Sequence, residues 1–301
     1  MGETAGARNL ILGMAEDLEW EVLRPFVESL RQTSFAGEVR LFTAGANERT
    51  VRLLRDHGVV VDRFTRLRVR RGNRVFQPLR SSLVSHAYSP LLRAASLRGA
   101  ASLAAPISVP SVSRYLRYYR LLSAVPRTRY ANVMLTDVSD VYFQFDPFAF
   151  EIGASVNCFL EDTRETLSSE AANRFWLVTA YGDEVLSDLG SRTISCSGIT
   201  IGTYDAILAY LRVMVSSLVR LRYQWHGIDQ AVHNYVIYKG LLPEVKLVEN
   251  GEGPVLTLGI VPPAEVSAAL PDGYDNVPIL HQYDRHPELQ EVLLRRLGHR
   301  P

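Results

Sequence analysis

Apolar residues in the first part of the chain follow two alternating spacings. Short segments rich in apolar residues, at 9–13, 37–45 and 59–64, are typical of buried strands. In the segments between them, at 18–30 and 47–58, apolar residues recur every three or four positions, as on one face of a helix. Strands that alternate with helices predict an α/β fold with a central, mostly parallel sheet flanked by helices.

This order of elements also predicts where a ligand binds. Parallel sheets of this kind bind their ligands beyond the carboxyl ends of the strands. The first strand runs into "GMAEDLEWE", which contains neither G-x-G-x-x-G nor G-x-x-x-x-G-K-[ST]. A dinucleotide site and a phosphate-binding P-loop are therefore not indicated.

The rest of the chain shows no internal repeat and no low-complexity linker. A helix is predicted at residues 113–125 with Ser113 as its cap, followed by an apolar strand that ends near residue 136. The later predicted elements are a strand at 156–160 and a helix from 204 to about 223. We expect a single domain with an internal division near residue 148.

Composition and charge are those of an ordinary globular protein. Apolar residues make up 47 % and charged residues 22 % of the chain, which excludes a disordered protein. The formal charge of +1 creates no general attraction for nucleic acid. No apolar run approaches the roughly 20 residues of a membrane helix. Because Cys158 and Cys196 are the two cysteines, we expect no disulfide framework and a cytoplasmic location. Nothing indicates the oligomeric state.

The basic residues are biased towards arginine, which accounts for 31 of the 33. Six of these arginines lie in residues 66–80. Such a run is most often solvated surface. The alternative is a loop that binds an anion or an acceptor, since arginine offers a planar fork of donors.

The clearest chemical signal is a pair of carboxylates after the apolar strand "VMLT". Asp137 and Asp140 lie three residues apart just where this strand ends. A single Asp at such a place often caps a helix or stabilises a turn. Two in one tight turn can instead bind Mg²⁺ or Mn²⁺, which prefer oxygen ligands and commonly share them with substrate phosphates. That arrangement suits a nucleoside-diphosphate substrate.

With its surroundings, this pair resembles the metal motif of GT-A-fold glycosyltransferases, particularly retaining enzymes of the glycogenin and lipopolysaccharide-galactosyltransferase type. The resemblance rests on five ordered features between about residues 10 and 287. They are the N-terminal strand–helix–strand unit, the helix "YLRYYRLL", the Asp137/Asp140 pair, "CSG" followed by "DQAVHN", and a late His in "ILHQYDRHP".

The resemblance implies a GT-A-like nucleotide-diphospho-sugar transferase fold and transfer of a sugar from a UDP- or GDP-linked donor to an acceptor hydroxyl. Residues 1–148 would form the donor half, and residues 149–301 the acceptor half with a C-terminal segment that completes the metal site. The implied ligands of Mn²⁺ or Mg²⁺ are Asp137, Asp140 and His281. The implied donor contacts are Gly13, Met14, Ala15, Arg117, Arg120, Asp137, Ser197, Gly198 and Arg285. The implied catalytic residues are Asp229 and Gln230, beside the anomeric carbon, and Arg120, on the leaving diphosphate.

Departures from the family pattern leave several roles open. The motif here is Asp-x-x-Asp instead of Asp-x-Asp, so Asp137 ligates the metal directly or acts on the ribose or through water. Arg285 or His286 would cover the diphosphate where the family has Lys. If configuration is inverted instead of retained, Glu161 or Asp162 would supply the general base.

Two other functions stay open at this point. A nucleotidyltransferase shares this sheet architecture, but it usually has a Gly-rich, basic loop after the first strand, where this chain is acidic. A catalytically silent protein could use the same pocket to bind a nucleotide or a glycan.

Overall fold

The computed structural model describes residues 7–66, 69–71, 74–76, 95–221, 224–270 and 272–298. The expectation for the arginine-rich segment falls mostly outside these residues. The described strands are β1 (Arg8–Glu16), β2 (Glu38–Ala44), β3 (Val59–Arg63), β4 (Val69–Arg71), β5 (Arg74–Phe76), β6 (Tyr130–Thr136), β7 (Val141–Phe143), β8 (Val156–Leu160), β9 (Ser195–Thr203), β10 (Val245–Val248), β11 (Val255–Thr257) and β12 (Ile279–His281). The described α-helices are α1 (Trp20–Gln32), α2 (Glu48–Asp56), α3 (Leu97–Ala104), α4 (Pro110–Leu122), α5 (Ala171–Tyr181), α6 (Asp183–Leu189), α7 (Tyr204–Leu218), α8 (Ile228–Tyr238), α9 (Pro263–Ala269) and α10 (Pro287–Arg296).

Seven strands form the central sheet, in the order β10-β8-β9-β6-β1-β2-β3. Neighbouring strands are parallel except at β9, which runs antiparallel to both β6 and β8. The predicted α/β fold class, a central and mostly parallel sheet flanked by helices, is confirmed.

Helices cover both faces of this sheet because its middle strands are apolar on both sides. Along β1, Leu10 and Leu12 pack with residues of α3, α4, α7 and α8, whereas Ile11 points to the opposite face and packs with residues of α1. All three side chains are fully buried. No helix of the described residues combines the length and apolar character needed to cross a bilayer.

A second, three-stranded sheet brings the C-terminal segment to the turn after β6. Its order is β11-β12-β7, and β12 pairs antiparallel with β7. His281, the last residue of β12, lies opposite Val141, which directly follows Asp140 in the chain. Residues that are 140 positions apart in sequence thus become neighbours.

Two predicted helix boundaries are wrong. Helix α4 begins at Pro110 and not at Ser113, because a proline fits the first helical turn, where its missing N–H is not needed. The hydroxyl of Ser113 donates instead to the carbonyl of Ala105 at 3.0 Å. Helix α7 ends at Leu218, short of the predicted residue 223.

We predict that Ser29→Ala lowers the free energy of unfolding by about 1–3 kcal/mol. The buried hydroxyl of Ser29, on α1, accepts the backbone N–H of Phe143 in β7 at 3.1 Å, and alanine would leave that N–H without a partner. Ser187→Ala is the control. The hydroxyls of Ser29 and Ser187 each donate to a carbonyl of their own helix, but Ser187 is exposed. Urea denaturation of the three proteins measures the difference. An equal loss in both variants would contradict the proposed tie between α1 and β7.

Candidate functional site

A cleft of about 570 Å³ opens at the carboxyl ends of β1 and β6. Because β9 runs antiparallel to β6, the first residues of β9 lie beside the last residues of β6. The backbone N–H of Asp137 donates to the carbonyl of Gly198 at 2.8 Å. Residues of α4, α5 and α8 line the remaining sides. The cleft lies where ligand binding is expected for a sheet of this type.

The structure brings together the three residues predicted to hold a metal ion. Nε2 of His281 lies 3.7 Å from Oδ2 of Asp137 and 3.8 Å from Oδ2 of Asp140. One ligand atom from each residue lies within 4.8 Å of the others, and no other such group of three occurs among the described residues. Their role as metal ligands remains a prediction.

The surroundings of these side chains fit a hard divalent cation. Within the described ranges, Nε2 of His281 and Oδ1 of Asp140 are buried without a hydrogen-bond partner. A methyl group on Gly198 would lie 2.5 Å from Cε1 of His281 and 2.7 Å from Oδ2 of Asp137. A glycine is therefore needed for these ligand atoms to face one open space. Two carboxylates and an imidazole are a donor set that suits Mn²⁺ and, less closely, Mg²⁺.

The pKa is raised in two of these three side chains and lowered in the third. Burial raises the pKa of Asp140 to about 6, and the neighbouring Asp137 adds to the rise. Burial disfavours the charged form of His281, but Cys196, Asp137 and Asp140 outweigh burial and raise its pKa. Burial also opposes ionisation of Asp137, yet Arg114 and His281 prevail and lower its pKa to about 2. One of the three groups is thus a fixed anion.

Arg114, on α4, is a cleft residue that the sequence reasoning missed. Its guanidinium forms ion pairs with Asp137 and, at 2.6 Å, with Asp229 on α8. It also donates to the carbonyl of Ser197 at 3.3 Å. Burial penalises its charge, but Asp137 and Asp229 hold the pKa of Arg114 well above its usual value. A permanent positive charge therefore lies between two carboxylates from different parts of the chain.

Arg117 and Arg120, which were predicted to contact the donor, do not line the cleft. Arg120 is exposed in the last turn of α4. Arg117 is buried against the ring of Phe64, 3.5 Å from its centroid, and donates to Ser113 at 3.1 Å. With 3.6 residues per turn, positions six apart face directions about 120° apart. Arg114 therefore reaches the cleft, and Arg120 cannot.

Some of the other predicted donor contacts line the cleft and some do not. Met14, Ser197, Gly198 and Arg285 line the cleft. Ala15 is fully buried in the core, and a Cβ on Gly13 would lie 2.3 Å from Val138. His286, the alternative to Arg285, is also buried, with its Nε2 bonded to the carbonyl of Leu258 at 2.9 Å.

Asp229 and Gln230 both line the cleft, but their side chains are engaged differently. Asp229 is 2 % exposed and is held by Arg114. Gln230 accepts the N–H of Ser197 at 2.7 Å and donates to the carbonyl of Ser195 at 3.0 Å. Because both ends of its amide bond the backbone of β9, Gln230 is suited to position the strand, and the predicted contact with the reacting sugar gains no support.

Two more residues of α8 fix the start of β9. The amide of Asn234 bonds both the N–H and the carbonyl of Ser195, at 2.9 Å each. The ring of His233 lies between the hydroxyl of Ser195, at 2.9 Å, and that of Tyr210, at 2.7 Å. Helix α8 and β9 therefore form one rigid support for the cleft.

Gln282, directly after His281, has a φ of 60° in the left-handed region that favours glycine. Such a residue costs on the order of 1–3 kcal/mol and is held by its surroundings. Here the N–H of Gln282 donates to the carbonyl of Asp140 at 2.7 Å. The turn then leads through a 3₁₀ helix, Tyr283–Arg285, which places Arg285 at the cleft.

One side of the cleft was only partly predicted and is called here the acidic side. Its members are Glu161, Glu165, Glu170, Asn173 and Trp176. Glu161, a predicted alternative base, is 7 % exposed, and burial raises its pKa. Asp162, the other alternative, instead pairs with Arg164. These residues follow no compact motif, so sequence spacing offers no signal that they converge.

Comparisons with known proteins find similarity among solved structures. No protein-family model matches the chain. No curated protein matches it either. The chain is similar to core-mannan synthase A from Aspergillus fumigatus, whose crystal structure was determined in an Mn/GDP form. The identity is 14 %, the match covers 82 % of this chain and 74 % of that one, and the TM-score is 0.44. Similarity at this level does not establish a shared activity, which must be inferred from the site.

We predict that Gly198→Ala lowers the affinity for Mn²⁺ by about tenfold or more, since the added methyl would meet His281 and Asp137. Gly202→Ala on the same strand is the matched control, because its methyl would meet Ser155 and Ile207. Electron paramagnetic resonance of free Mn²⁺ measures both affinities, and circular dichroism checks the fold. Unchanged Mn²⁺ affinity in the Gly198 variant would contradict a metal site at these residues.

We predict that His233 makes stability fall at acid pH. Burial lowers the pKa of His233 to about 3, below its value of 6.5 in an unfolded chain. Above pH 6.5 both states are neutral. Below it the unfolded chain gains a proton that the folded chain does not, so the free energy of unfolding falls by about 1.4 kcal/mol per pH unit until about pH 3. Urea denaturation at several pH values should show a steeper fall for the wild type than for His233→Gln. Parallel curves would contradict this assignment.

Proposed function

We propose that the protein is a GT-A-like glycosyltransferase that moves a sugar from a nucleoside-diphosphate donor, UDP- or GDP-linked, to an acceptor hydroxyl with the help of a divalent metal. The observation that carries the proposal is the meeting of Asp137, Asp140 and His281 in a cleft at the carboxyl ends of the parallel strands. Three such ligands from two distant parts of the chain suit a metal–diphosphate complex.

The donor would lie between the metal ligands and Arg285. Asp140 and His281 would hold Mn²⁺ or Mg²⁺, with Asp137 as a third ligand or one that acts through water. The ion, when bound, supplies positive charge that neutralises the diphosphate and improves it as a leaving group. Arg285 is exposed at the cleft and offers a second, bidentate contact to phosphate oxygens. Ser197 and Gly198 would lie along the donor sugar.

Arg114 and Asp229 would orient the reaction. In the transfer, the bond from the anomeric carbon to the diphosphate oxygen breaks with its electron pair on that oxygen, and the acceptor hydroxyl oxygen forms the new bond. The hydroxyl proton passes to the departing diphosphate if configuration is retained, or to a base on the opposite face if it is inverted. Asp229 is fixed by Arg114 at 2.6 Å, which suits a group that orients hydroxyls, so we propose retention.

Glu161 is the base that an inverting reaction would use. It is buried in the cleft wall, and its raised pKa favours proton uptake. The configuration of the released or transferred sugar, read by proton NMR, separates the two mechanisms. In the proposed division of the chain, residues 1–148 form the donor half. Residues 149–301 form the acceptor half, which includes Glu161 and whose C-terminal segment would complete the metal site.

The decisive experiment is calorimetry with UDP and GDP, with Mn²⁺ or with EDTA. We predict that binding needs Mn²⁺ and that Asp140→Asn weakens it by at least about tenfold. Asp205→Asn is the control, since Asp205 lies outside the cleft and pairs with Arg127 on the surface. Donor hydrolysis or sugar transfer should follow the same pattern.

Each alternative has a distinct result. Activity that depends on a nucleoside triphosphate would indicate a nucleotidyltransferase. Nucleotide binding without donor hydrolysis or transfer would indicate a binding protein. Nucleotide binding that is unaffected by EDTA and by Asp140→Asn would contradict the metal role. No nucleotide binding at all would contradict the whole proposal.

A further inference from the structure

The charges around the cleft are uneven. The lining residues include six carboxylates but two arginines. The carboxylates are Asp137, Asp140, Glu161, Glu165, Glu170 and Asp229. Arg114 is engaged by Asp137 and Asp229, and a metal ion at Asp137, Asp140 and His281 would balance the donor diphosphate. The second arginine, Arg285, acts on Glu161 and Glu170 by its charge. Three of the six carboxylates lie on the acidic side against this one arginine, so that side keeps an excess of negative charge.

Glu165 and Glu170 carry this excess. Both side chains are half-buried, and in the described parts of the chain no ion pair joins either to a basic side chain. Glu165 accepts the hydroxyl of Ser169 at 2.5 Å. Glu170 caps α5 by accepting the backbone N–H groups of Ala172 and Asn173 at 3.1 and 2.7 Å. Burial opposes the charge of Glu170, but these hydrogen bonds, a further one from the Asn173 side chain and the positive charge of Arg285 lower its pKa, so it stays an anion.

Asn173 gives an independent sign of a ligand beside these carboxylates. It lines the cleft and is 7 % exposed. Its Nδ2 donates to Glu170 at 2.8 Å, which fixes the orientation of the amide. The other atom, Oδ1, is buried and has no hydrogen-bond partner among the described residues. A buried carbonyl oxygen in this state lacks a donor, and the cleft is where a ligand could provide one.

A second metal ion does not suit the acidic side. The compact metal-binding group found among the described residues consists of Asp137, Asp140 and His281 and includes none of the three glutamates. The groups here instead accept hydrogen bonds over a wider surface, beside the ring of Trp176. An indole such as that of Trp176, which lines the cleft, attracts an organic cation that lies over its ring.

We propose that the acidic side recognises an acceptor with a protonated amine, that is, a polyhydroxylated ring that bears at least one ammonium group. Glu165 and Glu170 bind the ammonium, Oδ1 of Asn173 accepts a hydrogen bond from it or from a neighbouring hydroxyl, and Trp176 packs against the ring. Hydrogen bonds and opposite charge in a half-buried site favour such an amine over its neutral form. This inference rests on the proposed function, because it assigns the acceptor of the same cleft.

The test compares charged and neutral forms of the same rings on the intact protein loaded with Mn²⁺ and UDP or GDP. Glucosamine and 2-deoxystreptamine are titrated against their N-acetylated forms, with binding followed by calorimetry or ligand-observed NMR. We expect each amine to bind about tenfold more tightly than its acetylated form. In the double variant Glu165→Gln/Glu170→Gln this preference should nearly vanish.

The glutamine substitutions preserve the fold, since the amide oxygen can still cap α5 and accept the hydroxyl of Ser169. Glu249→Gln, which removes an exposed charge from a residue that does not line the cleft, should leave the preference unchanged. Equal binding of both forms, a preference that survives the double variant, or binding of neither form while the nucleotide still binds would overturn the inference. Loss of nucleotide binding itself would instead contradict the proposed function.

Discussion

Arg114 lies between the carboxylates of Asp137 and Asp229, and the arrangement of the cleft depends on the charge that it carries there. Asp229 is buried and Asp137 is partly buried, and without a cation between them the two acids would repel each other or take up protons. An arginine suits this place because it stays charged when buried and reaches two partners with one planar group. Removing one partner of a buried pair typically costs about 3–5 kcal/mol, since the remaining charge is left without compensation. The same interaction sets the anionic state of Asp137, and it ties the turn after β6 to helix α8.

The reversed strand β9 explains how the cleft is assembled from distant segments. If β9 were parallel to β6, its first residues would lie at the opposite edge of the sheet, far from Asp137. Because it is antiparallel, Ser197 and Gly198 lie beside the predicted metal ligands. Gln230 and Asn234 of α8 hold the start of the strand by its backbone, and His233 holds it through the hydroxyl of Ser195. The second sheet adds His281 from the C-terminal region through its pairing with β7. Each contribution arrives on a strand end or a helix that is packed on the core, so the geometry does not depend on a free loop.

Sequence pattern predicted the elements better than the contacts between them. The alternation of apolar runs and helical spacing correctly indicated the sheet and its flanking helices, because burial on both faces leaves a direct trace in the residues. Motif order correctly brought Asp137, Asp140 and His281 to one place. The family resemblance implied Arg120 as a donor contact, however, whereas the rotation of helix α4 directs Arg114 towards the cleft. Spacing also gave no means to see that both ends of the Gln230 amide are engaged by the backbone, or that Asn173 keeps an unpaired oxygen, since both facts depend on tertiary packing.

The two sides of the cleft are built from different kinds of structure, and this has a consequence for how such a protein can change. The proposed metal ligands lie at the ends of β6 and β12, where substitutions or insertions would disturb two sheets at once. The acidic side comes from residues 161–170, which connect β8 to α5, and from the first turns of α5. Connections of this type tolerate variation because little of the core rests on them. If the proposed function holds, related proteins could therefore acquire different acceptors through changes in this short segment, with the sheet and the proposed metal site inherited intact.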